Sequence, residues 1–288
     1  MPATTANGIT LEYETFGDPA APPVLLIMGF GCQLTLWDET FCADLARNGY
    51  FVIRYDNRDV GLSTWLDDDG EPDLLALLGG AAAAPYSIGD MAADAAGLLD
   101  ALGIDAAHVI GASMGGMIAQ ALAISHPEKV LTLTSIMSTT GDPTVGQPDP
   151  DALAALVPAP PTSREEAVDQ GVAMWRTIGS PGFPFDEAMI RARAGAAYDR
   201  AFHPAGNARQ LAAIATQPDR TAALGAVTAP TLVIHGEADP LVDPSGGRAT
   251  AAAVPGARLH LVPGMGHDLP EELRGPLVAE LTAHFADG

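Results

Sequence analysis

Cysteine and positive charge are both scarce in this 288-residue sequence, and long hydrophobic runs are missing. The two cysteines, Cys32 and Cys42, cannot build a disulfide framework and lack the histidine spacing of a zinc site. The 14 Lys and Arg residues face 36 Asp and Glu residues, and this net charge of -22 argues against nucleic acid as a partner. No apolar run reaches the roughly 20 residues of a membrane span. The first residues also lack a secretory signal pattern, so we expect a cytoplasmic protein with no membrane partner.

What the sequence does contain is a regular alternation of strand and helix patterns. Short aliphatic and aromatic runs predict strands over 9–16, 24–28, 51–55, 107–111, 130–136, 231–234 and 258–262. Apolar residues at helical spacing predict helices over 37–48, 90–102, 114–125, 247–253 and 271–285. Strands that alternate with helices in this way build a mostly parallel central sheet flanked by helices, so the predicted class is α/β.

The alternation is interrupted between residues 138 and 227. A proline-rich stretch over 143–161 predicts loops and is followed by three helical patterns, at 165–178, 186–201 and 207–216. We interpret this interruption as a mostly helical cap that is inserted after the strand at 130–136. The predicted organisation is therefore a core formed by residues 1–138 and 227–288, with a cap formed by residues 139–226.

Three polar residues follow predicted strands, at the edge of the sheet where open α/β proteins place their chemistry. Ser113 follows 107–111, Asp239 follows 231–234, and His267 follows 258–262. Of the seven histidines, only His267 stands in a loop after the last strand with a glycine beside it. Asp142 is an alternative acid after the strand at 130–136, although its polar sequence favours a simple turn.

These residue types suit acyl transfer. A serine hydroxyl becomes a strong nucleophile when an imidazole accepts its proton, and the imidazole needs a carboxylate that fixes its tautomer. Gly111 and Gly115 leave room for a tight strand-to-helix turn at Ser113. The helix that follows directs its N-terminus at the serine, so the backbone N–H of Met114 is a candidate oxyanion donor.

The sequence GASMG at 111–115, with acid and histidine following in the order Ser, Asp, His, resembles the α/β-hydrolase superfamily. Similarity to bacterial esterases of the aclacinomycin-methylesterase type is carried by MGFG at 28–31, YDNRDVGLST at 55–64, GASMGG at 111–116 and PGMGHDLP at 263–270. The resemblance implies a helical cap after the sixth strand and a second oxyanion donor at the N–H of Phe30. Many members carry His-Gly where this chain has Met28-Gly29, and that histidine usually supports the site without entering the catalytic set.

Other motifs receive a structural interpretation. Asp56-Asn57-Arg58 with Gly61 predicts a turn that is held by a carboxylate–guanidinium pair. Cys32 lies outside the elbow, so we interpret it as a small packing or pocket residue. The acidic run DDDGE at 67–71 lacks the ligand spacing of a calcium loop, so we expect a solvated turn and no metal site.

The predicted function is hydrolysis of a carboxylic ester of a small to medium, mostly apolar molecule, through an acyl-enzyme on Ser113 and without a cofactor. Asp239 and His267 complete the catalytic set. Four aromatic residues are candidates for the substrate pocket: Trp37, Trp175, Phe183 and Phe185. Two alternatives stay open, namely a carbon–carbon bond hydrolase or haloperoxidase/perhydrolase-like enzyme with the same triad, and a non-hydrolytic small-molecule receptor.

Overall fold

A central eight-stranded sheet organises the chain, in the order β1-β2-β4-β3-β5-β6-β7-β8. The computed structural model describes residues 2–73, 76–77 and 83–288. The strands are β1 (Ala3–Ala6), β2 (Ile9–Phe16), β3 (Pro23–Ile27), β4 (Phe51–Tyr55), β5 (Ala107–Ala112), β6 (Val130–Ile136), β7 (Thr231–Gly236) and β8 (Arg258–Val262). β1 and β2 pair antiparallel with their neighbours, and β3 to β8 run parallel. The predicted mostly parallel α/β class is confirmed.

Helices cover both faces of this sheet. The α-helices of the described residues are α1 (Glu39–Arg47), α2 (Ile88–Ala101), α3 (Met114–Ser125), α4 (Pro150–Leu156), α5 (Arg164–Ile178), α6 (Glu187–Arg200), α7 (Pro204–Ala215), α8 (Thr221–Leu224), α9 (Ser245–Ala253) and α10 (Arg274–Phe285). Apolar side chains of α2 and α3 pack on one face, and those of α1 and α10 on the other. No helix among the described residues is both long enough and apolar enough to cross a membrane.

The continuous apolar run of β3 is explained by burial on both sides. Leu25 and Ile27 enter the core cluster on the α2 and α3 face, while Val24 and Leu26 enter the cluster on the α1 and α10 face. Because side chains alternate along a strand, a strand between two helical layers needs apolar residues at every position. This arrangement places the carboxyl ends of β5, β7 and β8 along one edge of the sheet, where the predicted site residues follow.

The helix boundaries differ from the predicted ones where local hydrogen bonding decides them. Helix α1 begins at Glu39 and not at residue 37, because the carboxylate of Asp38 accepts the N–H of Thr40 and caps the helix. The last helix begins at Arg274, since the residues predicted to open it form a 3₁₀ turn in which the N–H of Leu273 donates to the carbonyl of Pro270.

Helices α4 to α8 lie between β6 and β7, in residues 139–226, which we call the inserted segment. The proline-rich stretch predicted as loop contains α4, whose first residue is Pro150. Proline suits that position because its fixed φ matches a helix and the missing N–H has no intrahelical acceptor there. Strand β1 was also not predicted, and it is a four-residue strand paired with β2. The division of the chain into a core and a cap domain stays a prediction.

Candidate active site

Ser113 occupies the sharp turn between β5 and α3. Its φ of 57° and ψ of -121° are rare for a residue with a side chain, and such strain is typical of functional turns. The flanking glycines permit the turn, because a Cβ on Gly111 would lie 2.0 Å from the carbonyl oxygen of Gly115. A Cβ on Gly115 would lie 2.1 Å from the carbonyl oxygen of Ile27. The G-x-S-x-G spacing is therefore a packing requirement of the turn that presents the hydroxyl.

The structure brings Ser113, His267 and Asp239 together from the ends of three strands. Nε2 of His267 lies 2.9 Å from Oγ of Ser113, and Nδ1 lies 2.8 Å from Oδ2 of Asp239. The carboxylate assigns the imidazole proton to Nδ1, which leaves the lone pair of Nε2 directed at the hydroxyl. Both partners are buried, with His267 5% and Asp239 4% exposed. The arrangement can therefore transfer a proton from the serine to the imidazole.

The surroundings of Asp239 hold its carboxylate in the ionised form. Oδ1 accepts the N–H groups of Leu241 and Val242, each at 2.9 Å. Oδ2 faces His267 and also lies 3.5 Å from Nε2 of His235. Burial alone would raise the pKa of Asp239, but the charge of His267 and the hydrogen bonds outweigh it and lower the pKa to about 2. A carboxylate that stays ionised is what an imidazolium partner requires.

The loop that carries His267 is docked on the inserted segment. The N–H of His267 donates to the carbonyl of Ile178, the last residue of α5, at 2.7 Å. The N–H of Gly266 donates to Oγ of Ser180 at 2.8 Å. The Ser180 hydroxyl in turn donates to the carboxylate of Asp268, whose pKa is raised by burial. The end of α5 therefore fixes the position of the imidazole.

The two predicted oxyanion donors lie on segments next to the nucleophile. Met114 is the first residue of α3, so its N–H has no acceptor within the helix. The N–H of Phe30 makes no hydrogen bond within the part of the chain that the structure describes. The preceding residue, Gly29, packs against the nucleophile, and a Cβ there would lie 3.0 Å from Cβ of Ser113.

The turn that contains Phe30 is held from two sides. From the core, Nδ2 of Asn57 donates to the carbonyl of Met28 at 2.9 Å. From the inserted segment, Oε1 of Gln210 accepts the N–H of Gly31 at 2.8 Å. The sequence carried no signal for Gln210, because a glutamine in a helix of small residues is typical of an exposed position. Only the packing of α7 on this turn shows that the residue contributes to the site.

The Asp56-Asn57-Arg58 turn is held by ion pairs to distant elements. The predicted carboxylate–guanidinium pair does not join the ends of this turn, because Asp56 pairs with Arg200 at 2.7 Å. Arg58 pairs with Asp94 at 2.6 Å, and both side chains are buried. Gly61 is required beside the turn, since a Cβ there would lie 2.1 Å from Oδ2 of Asp56.

The remaining motifs have local roles. The carboxylate of Asp142 accepts the N–H and the hydroxyl of Thr144 at 2.8 Å each, within its own turn. Burial raises the pKa of Cys32 to about 12, so its thiol is protonated at neutral pH. In the acidic run at 67–71, Asp67 pairs with Arg209 at 2.9 Å and is not merely solvated. No cluster of metal-ligating side chains is present in residues 2–73, 76–77 and 83–288.

A cavity of about 530 Å³ lies beside this site. All four aromatic residues predicted for the substrate pocket line it: Trp37, Trp175, Phe183 and Phe185. Trp37 also belongs to the core, because it is 1% exposed and stacks on Phe41. The cavity wall includes Ala112 and Asp268, which are the chain neighbours of the serine and the histidine, but neither catalytic candidate itself. The cavity therefore lies next to the residues that flank Ser113 and His267 in the chain.

Known proteins are similar to this chain in sequence and in fold. The family described as the alpha/beta hydrolase fold matches residues 22–272. Rhodomycin D methylesterase DauP of Streptomyces sp. strain C5 is 35% identical and covers 97% of this chain and 96% of its own. Rhodomycin D methylesterase DnrP of Streptomyces peucetius is 34% identical with the same coverage, 97% and 96%. The crystal structure of the enol-lactonase from Burkholderia xenovorans LB400 has a TM-score of 0.74 at 23% identity, covering 99% of this chain and 100% of that one, and shows the fold alone.

Proposed function

The chain belongs to the family with the alpha/beta hydrolase fold, and on that premise we propose that it is a serine esterase. One observation carries the proposal, namely the continuous hydrogen-bonded line from Ser113 through His267 to Asp239. The two distances, 2.9 Å and 2.8 Å, are those of a nucleophile, a general base and the group that orients the base.

In the proposed mechanism, Oγ of Ser113 attacks the ester carbonyl while Nε2 of His267 accepts the hydroxyl proton. Asp239 stabilises the imidazolium, and the N–H groups of Phe30 and Met114 bind the oxyanion of the tetrahedral intermediate. The imidazolium then gives its proton to the leaving alkoxide, which departs as an alcohol and leaves an acyl-serine. His267 next activates a water molecule, whose attack releases the acid and regenerates the hydroxyl. No step uses a cofactor.

The cavity beside the triad supports an ester substrate of small to medium size that is mostly apolar. Aromatic residues of the inserted segment, including Trp175 and Phe183, line this space together with core residues such as Met28. We therefore propose that the inserted segment acts as a cap over the pocket. Because two relatives are named methylesterases, a methyl ester is the first substrate type to test.

A cytoplasmic location and the lack of nucleic-acid or membrane partners stay predictions from composition.

Replacing Ser113 with alanine tests the proposal. We expect hydrolysis of p-nitrophenyl acetate to fall at least about 1,000-fold, because no other group in the mechanism forms the acyl bond. A fluorophosphonate should add one adduct to the native protein and none to the variant, as measured by intact mass spectrometry. Ser125→Ala is the matched control, since that hydroxyl donates to the carbonyl of Ala121 at an exposed helix end. Retained hydrolysis or labelling in Ser113→Ala would overturn the assignment.

The same assays separate the alternative functions. A carbon–carbon bond hydrolase would cleave a vinylogous diketone faster than a matched ester, and a perhydrolase would form peracid from acetate and hydrogen peroxide. A receptor would be stabilised against heat by its ligand but would neither turn over esters nor react at Ser113. We expect ester turnover to dominate, because two relatives that match 97% of the chain are named methylesterases.

A further inference from the structure

The side chain of Gln210 in α7 is fully buried, and both ends of its amide are used. Its exposed fraction is 0%. Oε1 accepts the N–H of Gly31 at 2.8 Å, and Nε2 donates to the carbonyl of Arg58, also at 2.8 Å. A side chain of the inserted segment thus bridges two loops of the core, one of which carries the proposed oxyanion donor Phe30.

The Gly31 N–H belongs to the central peptide of the turn at residues 29–32. This turn is closed by the N–H of Cys32, which donates to the carbonyl of Gly29 at 3.3 Å. Gly31 has a φ of 64°, which fits the third position of a type II turn. In a type I turn the same residue has a negative φ, and the peptide between Phe30 and Gly31 is rotated. The hydrogen bond to Gln210 therefore selects the observed form of the turn.

The other end of the Gln210 amide is anchored in the core. Its acceptor, the carbonyl of Arg58, belongs to a residue whose guanidinium pairs with Asp94 of α2 at 2.6 Å. Helix α7 also packs closely on the turn, because a Cβ on Gly31 would lie 3.2 Å from Oδ1 of Asn207. The amide of Gln210 is thus a fixed link between the turn and the core.

We propose that Gln210 is a positioning residue that holds the oxyanion turn in its productive conformation. The inference rests on the proposed function and extends it, because it assigns support of the oxyanion site to the inserted segment. Without the amide, the Gly31 N–H and the Arg58 carbonyl lose their partners, and the central peptide of the turn is less restrained against rotation. The Phe30 N–H lies in the adjoining peptide, so its alignment with Ser113 is lost as well. Stabilisation of the tetrahedral intermediate should then fall more than ground-state binding.

Three variants of the full chain test this inference. Gln210→Met keeps the size of the side chain and removes both hydrogen bonds. Gln210→Asn keeps a polar amide in the buried site but cannot span both partners. Gln210→Glu retains an acceptor for the Gly31 N–H, and its carboxyl group in the protonated form can donate to the Arg58 carbonyl. Removal of an oxyanion donor costs about 100- to 1,000-fold in kcat, so weakening one through its support should cost about 10- to 100-fold.

For Gln210→Met and Gln210→Asn we expect kcat to fall by about 10- to 100-fold, while KM stays within about twofold of the native value. Affinity for an aryl trifluoromethyl ketone, whose serine adduct carries an oxyanion, should fall by a matching factor. Gln210→Glu should recover at least about threefold in kcat over the methionine variant, because the acceptor is restored. Gln170→Met is the matched control, since that amide donates to the carbonyl of Ala159 at the surface of the inserted segment.

Thermal unfolding of each variant shows whether it is folded at the assay temperature. If Gln210→Met is unfolded at that temperature, the kcat, KM and ketone affinity of Gln210→Asn test the inference. Native kcat and native ketone affinity in a folded variant would overturn the inference, as would a rise in KM alone. Labelling of Ser113 by a fluorophosphonate tests the esterase proposal independently of the role of Gln210. If the native protein is labelled and Ser113→Ala is inactive, the esterase proposal holds even when the Gln210 variants behave as native.

Discussion

Replacing Asp239 with asparagine should abolish ester hydrolysis while leaving the fold nearly intact. The asparagine carbonyl can still accept the N–H groups of Leu241 and Val242, which Oδ1 accepts now. The amide nitrogen then occupies the position of Oδ2 and donates to Nδ1 of His267. The imidazole proton moves to Nε2, which faces Ser113 as a donor and cannot accept the hydroxyl proton.

The expected loss in kcat is about 10,000-fold, which corresponds to about 5 kcal/mol of transition-state stabilisation. The effect on folding is smaller. The difference between the ordinary pKa of 3.8 and the pKa of about 2 at Asp239 corresponds to about 2 kcal/mol of stability, which neutral asparagine does not provide. Because folding lowers this pKa, the contribution is complete above 3.8 and disappears as the pH falls through about 2. The difference in free energy of unfolding between native protein and variant should therefore shrink in acid.

Hydrolysis of p-nitrophenyl acetate at pH 8 measures the catalytic effect, and urea unfolding as a function of pH measures the effect on stability. Asp243→Asn is a matched control, because its carboxylate accepts the N–H of Ser245 in an exposed turn of the same loop. The kcat of Asp243→Asn should stay within about twofold of the native value, since a substitution in an exposed turn has little effect on stability. Retention of more than a tenth of the native kcat in Asp239→Asn would refute the tautomer argument, and an equal loss in Asp243→Asn would show that the loop and not the carboxylate is responsible.

Two further predictions concern the scaffold. Gly115→Ala should lower the free energy of unfolding by at least about 2 kcal/mol, because the new Cβ would lie 2.1 Å from the carbonyl oxygen of Ile27. Gly275→Ala is the control, because its new Cβ would meet nothing within 4 Å, and this variant should be as stable as the native protein or more stable. Thermal unfolding of both variants measures the difference. Asp94→Leu should cost about 3–5 kcal/mol because it leaves the buried Arg58 unpaired, and adding Arg58→Leu should recover at least half of that loss in urea unfolding.

The strands and the elbow were predictable because their causes are local. A strand buried on both sides needs an unbroken apolar run, as β3 has, and a turn with a carbonyl oxygen 2.1 Å from the Cβ position of Gly115 needs glycine there. The order of Ser113, Asp239 and His267 then indicated a single site, because parallel strands present their carboxyl ends along one edge. Local patterns did not predict the helix boundaries that are set by a capping side chain or by a 3₁₀ turn, as at Asp38 and Pro270.

The supports of the site could not be predicted, because each partner is distant in sequence and chemically ordinary. The inserted segment holds the candidate site on two sides, through Gln210 at the oxyanion turn and through Ile178 and Ser180 at the histidine loop. A glutamine side chain, a backbone carbonyl and a serine side chain belong to no recognisable sequence motif. Their roles depend on where α5 and α7 pack against the core. The pairing of Arg58 with Asp94 was hidden for the same reason.

The sequence by itself therefore determined the α/β class, and it predicted the elbow at Ser113 and the two partners of that serine, since glycine sterics and strand periodicity act over a few residues. Only the tertiary structure decided the distances within that set, the cavity beside it and the contacts through which α5 and α7 hold both loops. Those features depend on the packing of segments that lie more than 80 residues apart, as Ser180 and Gly266 do, and no local pattern encodes such packing.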